Sequence, residues 1–239
     1  MRPIGVIHSS IKDRKAMPAF GAPASVEIFP EFAAGLLKIE KHTHFWILGW
    51  LMARPERDVL QVTPRGVDPQ SPDALHGVFS VRSPARPNPI GLTAARLTGR
   101  EGLILHFDCV DFMDGTPVID LKPYFVSRDM IFSAGNAAVG RPRTREALRE
   151  SLRLQVERFH PSDHPDTDVA IAIMEHFRAE VMEWNEPERW RIIAPIDRPH
   201  IVNALIGITR VTLGDGLELA TSPVVTINDV CYPIPTQVP

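Results

Sequence analysis

Gly77-Val-Phe-Ser-Val-Arg82-Ser83-Pro84-Ala85-Arg86-Pro87-Asn88-Pro89-Ile90-Gly91-Leu92 holds two arginines four residues apart, three prolines and an asparagine between two apolar runs. Each proline fixes φ at about −65° and gives up an N–H, and each X-Pro step drives the preceding residue into extended geometry. The stretch therefore reads as a rigid, non-repetitive arch between two strands, not as a core strand or a surface helix. An arginine fork that is already oriented suits planar anionic or heteroaromatic ligands. The same composition also serves a plain connector with two solvated arginines.

Outward from the arch, residues 1–126 read as short strands. Ile4–Ile7, Ala24–Phe29, His44–Met52, Asp58–Thr63, Gly77–Val81, Leu92–Leu97, Leu103–Val110 and Pro117–Leu121 are apolar or alternating runs separated by proline-rich turns. Many short strands at regular spacing predict a small closed or nearly closed β-barrel. In this half the apolar spacing of Phe32, Leu36, Leu37 and Ile39 predicts a helix over 30–41. After Tyr124 the texture changes. Thr144 reads as an N-cap for a helix to Phe159 that buries Leu148, Leu152 and Val156, and Asp168–Trp184 reads as a second helix. The expectation is a mainly β chain: a barrel domain over 1–140, then a smaller α+β domain over 141–239.

The 239 residues carry a net charge of −3 and 44% hydrophobic residues. That composition fits a globular protein and argues against a broad basic nucleic-acid surface. There is no signal-peptide pattern and no apolar run of about 18 residues, so the expected location is cytoplasmic, away from membranes. Two distant cysteines, Cys109 and Cys231, fit reduced thiols, with Cys109 a small core residue. The densest basic stretch runs from Arg141 to Arg158. It reads as a solvated helix face or as an RNA contact.

Several elements in order carry a family resemblance. They are Ile4-Gly-Val-Ile-His-Ser9, Pro18, His44-Phe-Trp-Ile-Leu48, the arch itself, and Asp114-Gly-Thr-Pro-Val-Ile-Asp-Leu-Lys-Pro-Tyr124. Residues 1–126 resemble the TsaA-like family, which includes a tRNA methyltransferase. The resemblance implies a non-Rossmann β-barrel that binds S-adenosylmethionine (SAM) and forms a homodimer with the cofactor near the interface. No GxGxxG follows a strand, in keeping with that architecture. The implied cofactor residues are Arg82, Asp114, Gly115, Thr116 and Pro117, with Pro18, Phe20, Met52 and Ala53 lining the pocket. Two places depart from the family pattern: Pro18-Ala19-Phe20 stands where the family has Pro-Arg-Gln, and Met52-Ala53 where it often has His-Gln.

The residues themselves read compatibly. Asp114-Gly115-Thr116-Pro117 is a tight turn that joins two strands. Asp120, Lys122 and Tyr124 alternate onto one strand face, as a structural ion pair or as charges aimed at a ligand. His44 shares a face with Trp46 and reads as a satisfied core histidine, as do His8 and His42.

The implied activity is SAM-dependent methyl transfer, first of all to N6 of threonylcarbamoyladenosine beside the tRNA anticodon. Asp114 or Asp120 is the candidate base, and Arg86, Asn88 and Lys122 are the candidate substrate contacts. The alternatives are a small-metabolite acceptor, or a SAM sensor without turnover. Residues 155–220 carry a second, cysteine-less resemblance to one component of formylmethanofuran dehydrogenase, with Asp166 and Ile208 where that family has cysteines. No metal is expected. His160, His164 and Asp166 would be the ligands if one were bound, and the same loop also reads as a polar helix cap.

Overall fold

The computed structural model describes residues 1–18, 20–51, 58–135, 142 and 144–235. Six of its strands close into an antiparallel barrel: β1 (Gly5–Ser9), β2 (Ala22–Ile28), β3 (His44–Trp50), β6 (Ile90–Glu101), β7 (Ile104–Val110) and β8 (Pro117–Pro123). Their order around the barrel is β1-β2-β7-β6-β3-β8, with β8 returning to β1. Two further strands, β4 (Gln61–Val62) and β5 (His76–Gly77), make a small separate ribbon in the connection between β3 and β6. A single turn of helix, α1 (Val126–Asp129), follows β8.

Alternation explains the closure. In β3, Phe45 and Ile47 join the barrel core while Trp46, Leu48 and Trp50 lie on the outside. Ile7, Val26, Leu105, Phe107 and Val118 fill the same interior from the other strands. Side chains two residues apart share a face, so each strand supplies one apolar row. The helix expected over 30–41 is instead two 3-10 turns, Pro30–Leu36 and Ile39–Lys41, split by Lys38 in the left-handed region at φ 66°. Leu36 and Ile39 are buried against the core and close the barrel end where β2 leaves and β3 enters.

The chain divides into two compact units, 1–64 with 69–131, and 65–68 with 132–239. The boundary expected at 140/141 falls outside the described residues. The second unit packs α2 (Arg145–Phe159), α3 (Pro165–His176) and α4 (Pro199–Thr209) with a five-stranded sheet. The sheet contains β9 (Ile192–Pro195), β10 (Thr212–Leu213), β11 (Gly216–Ala220), β12 (Val224–Ile227) and β13 (Val230–Pro233), in the order β10-β11-β9-β12-β13. Thr144 caps α2 by accepting from the Ala147 N–H at 3.2 Å, and Leu148, Leu152 and Val156 are its buried row. The second expected helix starts earlier and stops earlier. Pro165 opens α3, which loosens into a π turn at Phe177–Val181. Glu183 and Trp184, at φ 47° and 70°, end it.

Candidate functional site

Closed antiparallel topology gathers three connections at one barrel end: 10–21 between β1 and β2, 51–89 between β3 and β6, and 111–116 between β7 and β8. Pro18 and Phe20 lie in the first. Met52, Ala53, Arg82, Arg86 and Asn88 lie in the second, although Met52 and Ala53 fall outside the described residues. Asp114, Gly115 and Thr116 lie in the third, and Pro117 opens β8. Among the described residues, the positions implied for cofactor and substrate therefore gather at one end of the barrel, except Asp120 and Lys122 on the outer wall.

The third connection is the best fixed. Asp114 N–H donates to the Ile11 carbonyl (2.8 Å), Gly115 N–H to the Ile7 carbonyl (2.9 Å), and Ile7 N–H to the Thr116 carbonyl (2.9 Å). One oxygen of the Asp114 carboxylate accepts from the Ser9 N–H at 3.1 Å. Gly115 sits at φ 75°, a region that costs any other L-residue about 1 kcal/mol or more. No heavy atom lies within 4 Å of where its Cβ would be, so the turn presents an open face. Thr116 is buried and its hydroxyl donates to the Met113 carbonyl at 2.7 Å. Its side chain thus holds the turn together.

Phe112 anchors this turn. Its ring lies against Gly49 and Gly91, which are register partners on β3 and β6. A Cβ at Gly49 would stand 3.1 Å from the ring, and one at Gly91 would enter the ring and approach Leu51 Cδ2 to 2.9 Å. The glycine that closes the arch motif is thus a seat for the ring that leads into Asp114. Leu51 N–H donates to the Pro89 carbonyl at 2.7 Å, which ties the exit of β3 to the exit of the arch. In the first connection, Gly21 at φ 89° presses on the Val110 backbone, and Cys109 Sγ donates to the Phe20 carbonyl. Cys109 is half-buried and Cys231 exposed.

The two arginines of the arch differ. Arg86 turns inward: Nε donates to the Ser83 carbonyl (2.7 Å), and one terminal nitrogen donates to the carbonyls of Val78 (2.8 Å) and Val81 (2.5 Å). Ala85 and Val78 are fully buried beneath it. Arg86, expected to contact substrate, is spent on holding the arch. Arg82 is exposed, and among the described residues its guanidinium makes no hydrogen bond or ion pair. Asn88 is also exposed.

On the wall, Lys122 lies opposite Trp46 and Asp120 opposite Leu48. Lys122 Nζ and Asp120 Oδ2 are 2.7 Å apart, and Asp120 Oδ1 accepts from its neighbour Leu121 N–H. Tyr124 stacks near Trp46, with ring centroids 5.4 Å apart. Asp120 is therefore doubly engaged, whereas Asp114 has one oxygen without a partner among the described residues. His44 is not a core histidine: it is exposed and hydrogen-bonded to Thr43 Oγ1 (2.9 Å), because it begins its strand at the barrel rim. His8 is likewise outside, 2.6 Å from Glu27. His42 is half-buried against Phe45 and Phe125.

The candidate metal ligands do not assemble. Asp166 is buried and takes two hydrogen bonds from Arg198, with Nε at 2.7 Å. These bonds hold its carboxyl below the usual carboxylate range. His164 stacks face to face on His200 (centroids 4.1 Å) and accepts from the Asp166 N–H, while His160 lies beyond His200. Among the described residues, no group of three or more His, Cys, Asp or Glu could hold a metal ion. Three arginines of the basic stretch are also engaged. Arg145 and Arg149 of α2 pair with buried Glu175 of α3, Arg145 reaches Glu180 as well, and Arg153 pairs with Asp168. Together they form an interhelical ladder.

A groove beside Asp114, lined in part by His8, Ser25, Thr98 and His106, escaped the sequence reading. Its signal was present in the polar positions of Ile7-His8-Ser9 and Leu105-His106-Phe107, which alternate outward.

The sequence profile of the tRNA-methyltransferase O N-terminal domain matches residues 6–130, about half of the chain. A probable S-adenosyl-L-methionine-binding protein of Pyrococcus abyssi is 41% identical over 134 residues, 54% of this chain and 70% of that one. The mouse tRNA (adenine(37)-N6)-methyltransferase is 40% identical over 102 residues, 43% of this chain and 23% of that one. A crystal structure of TrmO, 27% identical, covers 80% of this chain and 85% of that one with a TM-score of 0.47. The fold and site define a SAM-binding β-barrel of the non-Rossmann class. Within that class, the chain belongs to the tRNA-methyltransferase O family. These matches lend no support to a formylmethanofuran-dehydrogenase relationship.

Proposed function

We propose that the protein is a SAM-dependent methyltransferase whose acceptor is N6 of a threonylcarbamoyl-modified adenosine in tRNA. The observation that carries this reading is the convergence of the Arg82 connection and the Asp114 turn on one barrel end, beside family relatives named for SAM binding and for tRNA adenine methylation. The residues present suit the cofactor. Arg82 offers an unengaged cation and Gly115 an open backbone face. When bound, SAM supplies an electrophilic methyl group on a sulfonium. Asp114 accepts the proton that the weakly basic, acylated N6 must shed, and its Ser9 contact fixes the carboxylate for that task. Asp120, held by Lys122 and Leu121 N–H, serves the wall instead. The reading includes a homodimer in the cytoplasm, for which light scattering on the purified protein is the first check.

The test combines calorimetric titration of SAM with transfer of labelled methyl groups to tRNA carrying the modified adenosine. Saturable SAM binding, lost in Arg82→Ala, is the expected first result. Methylated N6 in the digested tRNA is the second. In Asp114→Asn transfer should fall by about 100-fold or more while SAM still binds. SAM binding without any tRNA product would overturn the acceptor. Two observations favour a second reading, a small-molecule acceptor: Arg145, Arg149 and Arg153 of α2 are already paired within the protein, and the net charge is −3.

A further inference from the structure

The outer barrel wall beside Asp114 carries a shallow, open groove of about 510 Å³. Strand register sets its composition. His8 of β1 pairs with Ser25 of β2, and Ser25 pairs with His106 of β7, so three polar residues form one row across three strands. The row ends at Gly99 of β6, the partner of His106. A Cβ there would meet only His106 Cδ2, at 3.8 Å, so the glycine leaves the flank of the imidazole open. Two strands also bulge here. The register of β7 shifts opposite Pro23, where Asp108 and Cys109 face that one residue between the pairs Ala22–Val110 and Ala24–Phe107. That of β6 shifts between Leu97 and Gly99, leaving Thr98 as the extra residue. Pro23, opposite the first bulge, and Thr98, the extra residue of the second, both line the groove. Barrel closure uses bulges, but it does not require that two of them border one groove, and bulges concentrate where side chains are re-aimed toward ligands.

The electrostatics narrow the ligand. Among the described residues, no lysine or arginine lines the groove. Glu27 sits at 2.6 Å from His8, Glu101 at 3.6 Å from His106, and Asp114 stands at its mouth. An anionic group would be repelled. A neutral, planar, hydroxyl-bearing ligand would find imidazole faces to stack on and the Ser9, Ser25 and Thr98 hydroxyls to bond.

We infer that this groove holds the purine and ribose of the acceptor nucleoside, with the base edge at Asp114 and both the anionic N6 substituent and the flanking phosphates outside. The inference rests on the proposed function and adds to it an acceptor subsite. Ser25→Tyr and Thr98→Phe each fill the groove from an outward-facing strand position, and Thr98 is exposed, so its variant perturbs the barrel least. Expected for both is a KM for tRNA raised about tenfold or more, with SAM affinity within about twofold of wild type. SAM affinity falling in parallel would make the groove the cofactor's adenosyl pocket and overturn the inference. An unchanged KM in both folded variants would overturn it too, while leaving the proposed function standing. If wild type methylates no tRNA, the proposed function fails. The groove is then decided by titrating adenosine in saturating S-adenosylhomocysteine: binding by wild type that both variants lose supports it, and no binding, or equal binding, overturns it.

Discussion

At Gly91 a methyl group would enter the Phe112 ring, with Leu51 behind it. Gly91→Ala is therefore expected to destabilise the barrel by about 1–3 kcal/mol, since overpacking a filled site forces backbone or rotamer shifts. Thermal unfolding measures this directly. The arch makes the matching point about arginine. Arg86→Ala abandons three carbonyl acceptors and should cost roughly 1–3 kcal/mol, whereas Arg82→Ala, at an exposed site, should leave stability within about 0.5 kcal/mol. Sequence marked both arginines as ligand-facing. It could not separate them, because which guanidinium is consumed by Ser83, Val78 and Val81 depends on how the prolines fold the arch. The Asp114 turn was legible, since Asp-Gly-Thr-Pro spells its backbone geometry. The burial of Thr116 was not, because Phe112 and Gly49 create it from elsewhere in the chain.

Ion pairs between elements decide the second unit. Glu175 of α3 is buried and receives both Arg145 and Arg149 of α2. Glu175→Ala leaves two half-exposed arginines without their shared carboxylate, which water can partly replace, and should cost about 1–2 kcal/mol. The same ladder predicts that charge removal at Arg149 or Arg153 leaves tRNA binding and its salt dependence unchanged, which filter binding across salt concentrations would show. The tie between Asp166 of α3 and Arg198, just before α4, has a pH signature. Arginine hydrogen bonds lower the Asp166 carboxyl in the folded state. The stability it contributes is therefore full above the unfolded value near pH 4 and is lost as pH falls through the lower folded value. Asp166→Asn should be less stable than wild type at neutral pH, and the gap should narrow in strong acid. The cap and buried row of α2 were readable from Thr144 and the leucines. The end of α3 was not, because the apolar spacing runs on past the residues where the backbone turns left-handed.

For the whole molecule, period-two alternation and proline-rich turns identified a small barrel, and the texture change after Tyr124 identified a second unit. Strand order was not legible. The long connection between β3 and β6 hides the fact that these strands are neighbours, and β8 closing on β1 is a property of the finished sheet. Nor were the bulges opposite Pro23 and at Thr98, because a register shift exists only relative to a partner strand. The distribution of site residues follows from closure: they are scattered along the sequence, yet three connections meet at one rim. The seat of Phe112 has a kinetic consequence. Its two halves, Gly49 and Gly91, come from strands separated by the longest barrel connection, so the ring finds its place only after β3 and β6 have zipped together. The turn that holds Asp114 thus matures late in folding and is lost as soon as that strand pair opens. Cofactor affinity and global unfolding should therefore disappear at one denaturant concentration, with no folded but binding-incompetent species between them.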